Sequence, residues 1–357
     1  MFVLASLFWG STAIGQTSES ASRIKSDERV LFFPTAARLS DDGTTWIVPI
    51  HGWIFEPEKD DLLRRAAVWR IRDVLGLDAD EPATPIFDRR VGWFLVDNER
   101  GKRIGIRIAG QACTLAASGA DGHFAGIVHV PVESVGGVRT SGRLPFKAIT
   151  QSGDDREFRS MAHLVSPSGI SVISDIDDTI KISEVADKKK LLLNTFFRPY
   201  RAAPGMAKVY REWAEKGVQF HFVSCSPYQL YEPLSQFAAE AGFPAATYHL
   251  KRFRLKDSTF LKLFADPVET KVKTIATLLR RYPKRKFILV GDSGEKDPEA
   301  YGILARRHPD QVVRIYIRDV SGESADAPRY LDAFMSVPAD RWAVFRDPAT
   351  LRLPNSD

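Results

Sequence analysis

Ile170-Ser171-Val172-Ile173-Ser174-Asp175-Ile176-Asp177-Asp178-Thr179 is an apolar run that ends in three carboxylates within four residues. A short apolar run that stops at a polar turn reads as a strand buried on both faces, the kind found in parallel sheets. Similar runs recur at 218–223, 287–290 and 312–317, and helical patterns fill the intervals at 205–216, 229–241, 268–281 and 298–307. Strand, turn and helix in repetition predict an α/β fold with a Rossmann-like parallel sheet and crossover helices. In open sheets of this kind ligands collect beyond the carboxyl ends of the strands, where the polar clusters of this sequence also fall.

Upstream the pattern changes. From about residue 30 to 149 short strands and turns dominate, among them Trp46-Ile47-Val48-Pro49-Ile50 and the runs 103–108 and 124–130, with Gly-rich punctuation. A mainly antiparallel β domain over 28–150 is therefore expected. One helix interrupts it at 60–75, with Leu63, Ala67, Ile71, Val74 and Leu75 on one stripe and Gly76 placed to end it. Polar residues 151–157 mark a junction, giving a linker over 151–165 and a second domain over 166–345. Two domains suit a chain of 357 residues that is 44% hydrophobic.

The first residues concern address. Phe2 to Trp9 are apolar and small residues follow through Gly15, which reads as a signal peptide over 1–15 that lacks a positively charged start. Export to a periplasm or the exterior is the expectation; a mis-set start on a cytoplasmic or peripheral protein is the other reading. No later segment reaches the ~18 apolar residues that a spanning helix needs. Fifty basic against 45 acidic residues, a net charge of +5, lean only weakly toward anionic partners, and no nucleic-acid partner is expected. Cys113 and Cys225 are the only cysteines, which excludes a disulfide-dense scaffold and a four-thiolate zinc site.

The chemistry sits in four places. Crowded carboxylates at the end of a buried strand need a compensating cation, and Mg²⁺, which takes a few carboxylates plus water and phosphate oxygens, is the economical one. The spacing lacks the later glycine and glutamate of a calcium loop. A second strand ends in Ser224-Cys225-Ser226-Pro227, whose hydroxyls and amides suit a phosphate oxygen. Lys271 lies early in the helix expected at 268–281, where an ammonium can balance charge on a nucleophile and a transferring group. The fourth place is Gly291-Asp292-Ser293-Gly294-Glu295-Lys296-Asp297-Pro298. There Asp292 can reach the same metal, and Asp297 either supports it or caps the helix that Pro298 opens.

This ordered set resembles the haloacid dehalogenase superfamily of phosphotransferases. More narrowly, DIDDTIKIS (175–183), VSCSPYQLY (223–231) and KFILVGDSGEKDPEAY (286–301) resemble the catalytic domain of the actin-patch-associated phosphatidate phosphatase family, over about 165–345. Cys225 stands where that family more often has serine, and Tyr228 where it has tryptophan. The resemblance implies a small cap insertion and Mg²⁺ held by Asp175, the backbone carbonyl of Asp177 and Asp292, with Asp297 behind. It implies Asp175 as nucleophile, Asp177 as acid and base, and Ser224 and Lys271 on the transferring oxygens. Thr179 braces the loop and, with Lys181, Ser226 and Tyr228, is assigned to the substrate side.

The insertion at 182–200 is too short for a domain-sized cap, so an open site is expected. Lys188-Lys189-Lys190 followed by Leu191-Leu192-Leu193 offers peripheral contact with an anionic membrane, or simply a solvated helix start. A second basic and apolar surface, 251–264, is expected to pack on the sheet. The favoured expectation is a phosphatase for phosphatidate or a related lipid phosphate. Against it stand a phosphatase for soluble phosphomonoesters or phosphoprotein, and a binding protein with a vestigial site.

Overall fold

The computed structural model describes residues 20–57, 69, 72, 85–138, 142–253 and 268–354. The expected signal peptide, nearly all of the helix expected at 60–75, and most of the 251–264 surface lie outside them.

The first sheet contains β1 (Arg29–Phe33), β2 (Thr35–Leu39), β3 (Thr45–Pro57), β4 (Val96–Asn98), β5 (Gly105–Ile108), β6 (Gln111–Thr114), β7 (His123–Pro131), β8 (Arg143–Ala148) and β9 (Arg159–Val165). Its order is β1-β3-β2-β9-β8-β5-β6, with β4 and β7 also on β3. The pairs are antiparallel as expected, except that β2 and β9 run parallel from Thr35↔Ala162 to Arg38↔Val165. The segment expected as a linker thus ends in a strand of this sheet.

The second sheet is parallel throughout, in the order β12-β11-β10-β13-β14-β15. Its strands are β10 (Ile170–Ser174), β11 (Gln219–Pro227), β12 (Ala246–Lys251), β13 (Lys286–Asp292), β14 (Val312–Arg318) and β15 (Trp342–Phe345). Strand order reverses at β10, so β11 and β13 flank it and a crevice opens at its carboxyl end. Side chains alternate as a pleat requires. Val172, Ile288 and Val290 enter one core with the helices Met206–Glu215 and Tyr231–Glu240. Ile173, Phe287 and Leu289 enter the other with Val268–Arg281, Asp297–Arg307 and Pro328–Ala333. The helix Val268–Arg281 follows its sequence closely, with Glu269 in the first turn and Arg280 and Arg281 in the last, matching the helix dipole.

The two sheets share a core. Phe33, Trp53, Phe55 and Phe87 belong to the cluster that also holds Val172, Phe222 and Tyr228. Tyr228 lies 4.4 Å from the Phe33 ring and 4.8 Å from the His51 ring. Leu191, Leu192 and Leu193 are likewise buried, in a short helix that passes into a π turn, so they form no apolar face toward solvent. The three lysines before them are exposed. Cys113 and Cys225 form no disulfide, and among the described residues no helix is long and apolar enough to cross a membrane.

Candidate active site

Asp175 is the first residue past β10. Its backbone N–H donates to Val290 O at 2.9 Å, which carries the ladder one step beyond the strand before the chain turns away. The turn is made at Asp178, whose φ of 53° is left-handed, a region in which Asp is among the tolerated residues. Its carboxylate holds the returning chain, accepting the N–H groups of Ser183 and Val185 at 2.7 Å and Glu184 at 2.9 Å. The third acid of the run is therefore a loop organiser.

Asp175 itself is 1% exposed. Thr179 Oγ1 donates to its Oδ2 at 3.3 Å. Lys271, also buried, reaches out from the helix Val268–Arg281 and donates to Asp175 Oδ1 and Glu295 Oε2 at 3.2 Å each, and to Asp297 Oδ1. Burial pushes the Asp175 carboxyl well above the usual range; Lys271 opposes this while Asp297, Glu295 and Asp292 add to it. Burial also works against the Lys271 charge, yet Asp175, Asp297 and Glu295 hold its ammonium well above the ordinary lysine range.

Asp292 closes β13. Its Oδ1 accepts the N–H groups of Gly294 (2.6 Å) and Glu295 (3.0 Å), while Oδ2 is buried with no hydrogen-bond partner. Burial, with Asp297 and Glu295 nearby, drives this carboxyl well above its usual range. Asp297 Oδ2 accepts the Asp292 N–H at 3.1 Å, and its other oxygen takes Lys271. The residue at the N-cap of the helix it begins, Lys296, makes no side-chain capping bond. Gly291 permits this approach, since a Cβ there would lie 2.1 Å from Asp297 Oδ2.

Asp177 stands apart on its own donors. Lys181 Nζ and Ser183 Oγ each lie 2.7 Å from Oδ1, and Ser224 Oγ and Ser226 Oγ donate to Oδ2 at 3.2 and 3.0 Å. Burial would raise its carboxyl, but the Lys181 ammonium and the hydrogen bonds from Lys181, Ser183 and Ser226 hold it below the usual carboxylate range.

The structure thus brings Asp175, Lys271, Asp292 and Asp297 together, and sets Asp177, Ser224, Ser226 and Lys181 beside them as a second knot. Lys181, assigned to the substrate side by sequence, is 1% exposed and ion-paired internally. Tyr228 lies in the seam between the sheets, its hydroxyl donating to Tyr248 O at 3.3 Å. Sequence reasoning assigned no role to Glu295, whose carboxylate joins Asp175 and Asp297 with ligand atoms within 4.8 Å of one another. Its place three residues past Asp292 was the available signal. Arg329, which donates to the carbonyls of Ser293 and Glu295 and so fixes that loop, gave none.

Three carboxylates on one ammonium, with Asp292 beside them, leave excess negative charge in a buried place, one oxygen of it unpartnered. An all-oxygen donor set of this kind fits a hard divalent cation.

Residues 170–319 match the family model for phosphatidate phosphatase APP1, catalytic domain. The chain is 38% identical over 181 residues to phosphatidate phosphatase APP1 of Saccharomyces cerevisiae, covering 49% of this chain and 30% of that protein. It is 30% identical over 172 residues to an uncharacterized protein of Schizosaccharomyces pombe, covering 47% and 28%. The matches thus span less than a third of either relative. Among solved structures, a Thermotoga maritima protein described as a beta-phosphoglucomutase superposes with a TM-score of 0.30 at 13% identity, over 46% of this chain and 90% of that one. That score is too low to bear on the fold. In sequence, residues 170–319, which contain Asp175, Lys271, Asp292 and Asp297, resemble the catalytic domain of phosphatidate phosphatase APP1.

Proposed function

We propose that this chain is a Mg²⁺-dependent phosphomonoester hydrolase of the haloacid dehalogenase type, acting through an aspartyl-phosphate on Asp175. Phosphatidate or a related lipid phosphate is the proposed substrate. The observation that carries the reading is the pairing of Asp175 with Lys271 at the end of β10, with Asp177 two residues on and held by a separate set of donors.

Asp175, Asp292 and the carbonyl of Asp177 are the groups proposed to hold the metal, with Asp297 on the Asp292 backbone, and Glu295 and Asp297, whose carboxylate oxygens lie within 4.8 Å of that of Asp175, are further candidate ligands. When bound, Mg²⁺ supplies positive charge that offsets the buried carboxylates and the phosphoryl oxygens. A carboxylate oxygen of Asp175 attacks phosphorus and the P–O bond to the leaving alcohol breaks, with the Asp177 proton passing to that oxygen. Water then attacks the aspartyl-phosphate, gives its proton to Asp177 and frees inorganic phosphate. Lys271 neutralises the nucleophile's neighbourhood throughout. Because Lys181 favours the ionised form of Asp177, the resting arrangement suits the second step more than the first.

The lipid assignment is supported by likeness to a protein named for phosphatidate, and by an insertion too short to enclose a small metabolite. A soluble phosphomonoester is the second reading, favoured by the burial of Leu191, Leu192 and Leu193, which removes an apolar surface for a bilayer. The test is phosphate release from micellar phosphatidate, lysophosphatidate and a panel of soluble phosphomonoesters, with and without Mg²⁺. Mg²⁺-dependent release, highest on the micelles and lower by at least about a thousandfold in Asp175→Asn, is expected. Release from no substrate would sink the reading.

A further inference from the structure

The matched family stretch begins at residue 170, yet a side chain far upstream reaches the 195–200 segment, which leads into the stretch paired with the loop that carries Asp177. We propose that Arg90 is a positioning residue for the Asp177 carboxylate, acting through Tyr200 and Lys181; this rests on the reading of Asp177 as acid and base.

Arg90 comes from the helix Pro85–Gly92 and is 5% exposed. Its Nη1 donates to two carbonyls at the end of the π turn, Thr195 O at 2.7 Å and Arg198 O at 2.9 Å, where a helix terminus leaves acceptors without partners. Its guanidinium lies 3.6 Å from the centre of the Tyr200 ring, and Lys181 Nζ lies 4.9 Å from the centre of the same ring. Both cations therefore meet the negative π system of one tyrosine. Phe87 of the same helix stacks on Phe197 at 4.3 Å and docks the assembly.

The held segment is joined to the catalytic loop. Ile182 N–H donates to Arg201 O and Ala203 N–H to Ile180 O, both at 2.8 Å, so 180–182 and 201–203 run together. Lys181 is the central residue of that pairing and bridges to Ala202. Its ammonium is the cation on Asp177. Removing Arg90 takes its donor from Arg198 O, leaves Thr195 O with the Tyr200 hydroxyl at 3.3 Å, and uncovers the Tyr200 ring, so the ring that Lys181 rests against shifts with them. Lysine cannot fully substitute, because an ammonium could donate to the two carbonyls but lacks the planar guanidinium face that stacks on Tyr200.

A displaced Asp177 costs most where the leaving oxygen needs its proton. Under single-turnover conditions with Mg²⁺, Arg90→Met is expected to release alcohol from an alkyl phosphomonoester about 10- to 100-fold more slowly, while release from an activated aryl phosphate stays within about threefold. Tyr200→Leu should show the same split, and Arg90→Met combined with Tyr200→Leu should be no worse than the poorer single variant. Tyr200→Leu keeps the test open if Arg90→Met does not fold. Loss of both substrates alike, loss of neither, or additive losses in the double variant would overturn the proposal. If the unaltered protein released neither alcohol, the phosphatase reading itself would fall.

Discussion

Replacing Asp292 by Asn tests the metal site through stability alone. The amide oxygen can take over the N–H groups of Gly294 and Glu295 that Oδ1 now accepts, so the loop after β13 keeps its two anchors. The other atom changes character: Oδ2 is a buried carboxylate oxygen with no partner, near Asp297 and Glu295. An NH₂ group in its place carries no charge and can donate to those acids. A buried polar group without a partner costs about 1–3 kcal/mol, so the metal-free Asn variant should be more stable than the parent by about that amount. Mg²⁺ should reverse the ranking. At a concentration about a hundredfold above its dissociation constant it adds about 2.7 kcal/mol to the parent, and little to a variant that has lost a ligand charge. The assay is urea unfolding of both proteins in chelator and in Mg²⁺. A variant less stable than the parent without metal, or one with the parent's full response to Mg²⁺, would refute the assignment of Asp292.

Asp177→Asn, mixed with an activated aryl phosphate and Mg²⁺, should give a burst of about one leaving group per site and a base-labile phosphoprotein, since general catalysis of the hydrolytic step is worth about 10²- to 10⁴-fold. No burst and no label in a folded variant would remove Asp177 from the chemistry. Burial holds the neutral imidazoles of His123 and His163 at a pKa of about 4 and that of His249 at about 3, below the ~6.5 of an unfolded histidine. The unfolded chain therefore binds more protons in that window. Their contribution to stability is complete above pH ~6.5 and declines toward pH ~4, by up to about 1.4 kcal/mol per pH unit for each. His163→Gln should flatten the fall of the urea midpoint over that range, and an unchanged slope would contradict the burial argument. In Gly302→Ala a Cβ would lie 1.9 Å from Ala333 O, so despite a better helix former the variant should lose about 1–2 kcal/mol in chemical denaturation; full stability would show that the two helices can part.

The parallel sheet was legible because its buried strands are continuous apolar runs and its helices carry apolar stripes: β10 and the helix Val268–Arg281 have the bounds their patterns predict. β12 and β15 escaped because Thr247, His249 and Lys251, or a length of four residues, hide the apolar face. Asp175, Asp292 and Lys271 could be read from strand ends and spacing. Lys181 could not be placed correctly, since a lysine four residues from a carboxylate looks the same whether it faces solvent or is sealed inside. Arg90 had no signal at all. Its partners Thr195 and Arg198 lie more than a hundred positions away and offer only backbone oxygens, which every sequence possesses.

The aromatic core common to both sheets packs the two parts of the chain against each other. Phe33 touches Tyr228 and Tyr231, so the edge of one sheet serves as the wall of the other. A fragment cut where the family match begins would leave Tyr228, Tyr231 and Phe197 without their partners Phe33 and Phe87, as a patch suited to aggregation. Heat should accordingly melt the two sheets in a single calorimetric transition, and neither half is free to diverge in sequence at this seam without a matching change in the other.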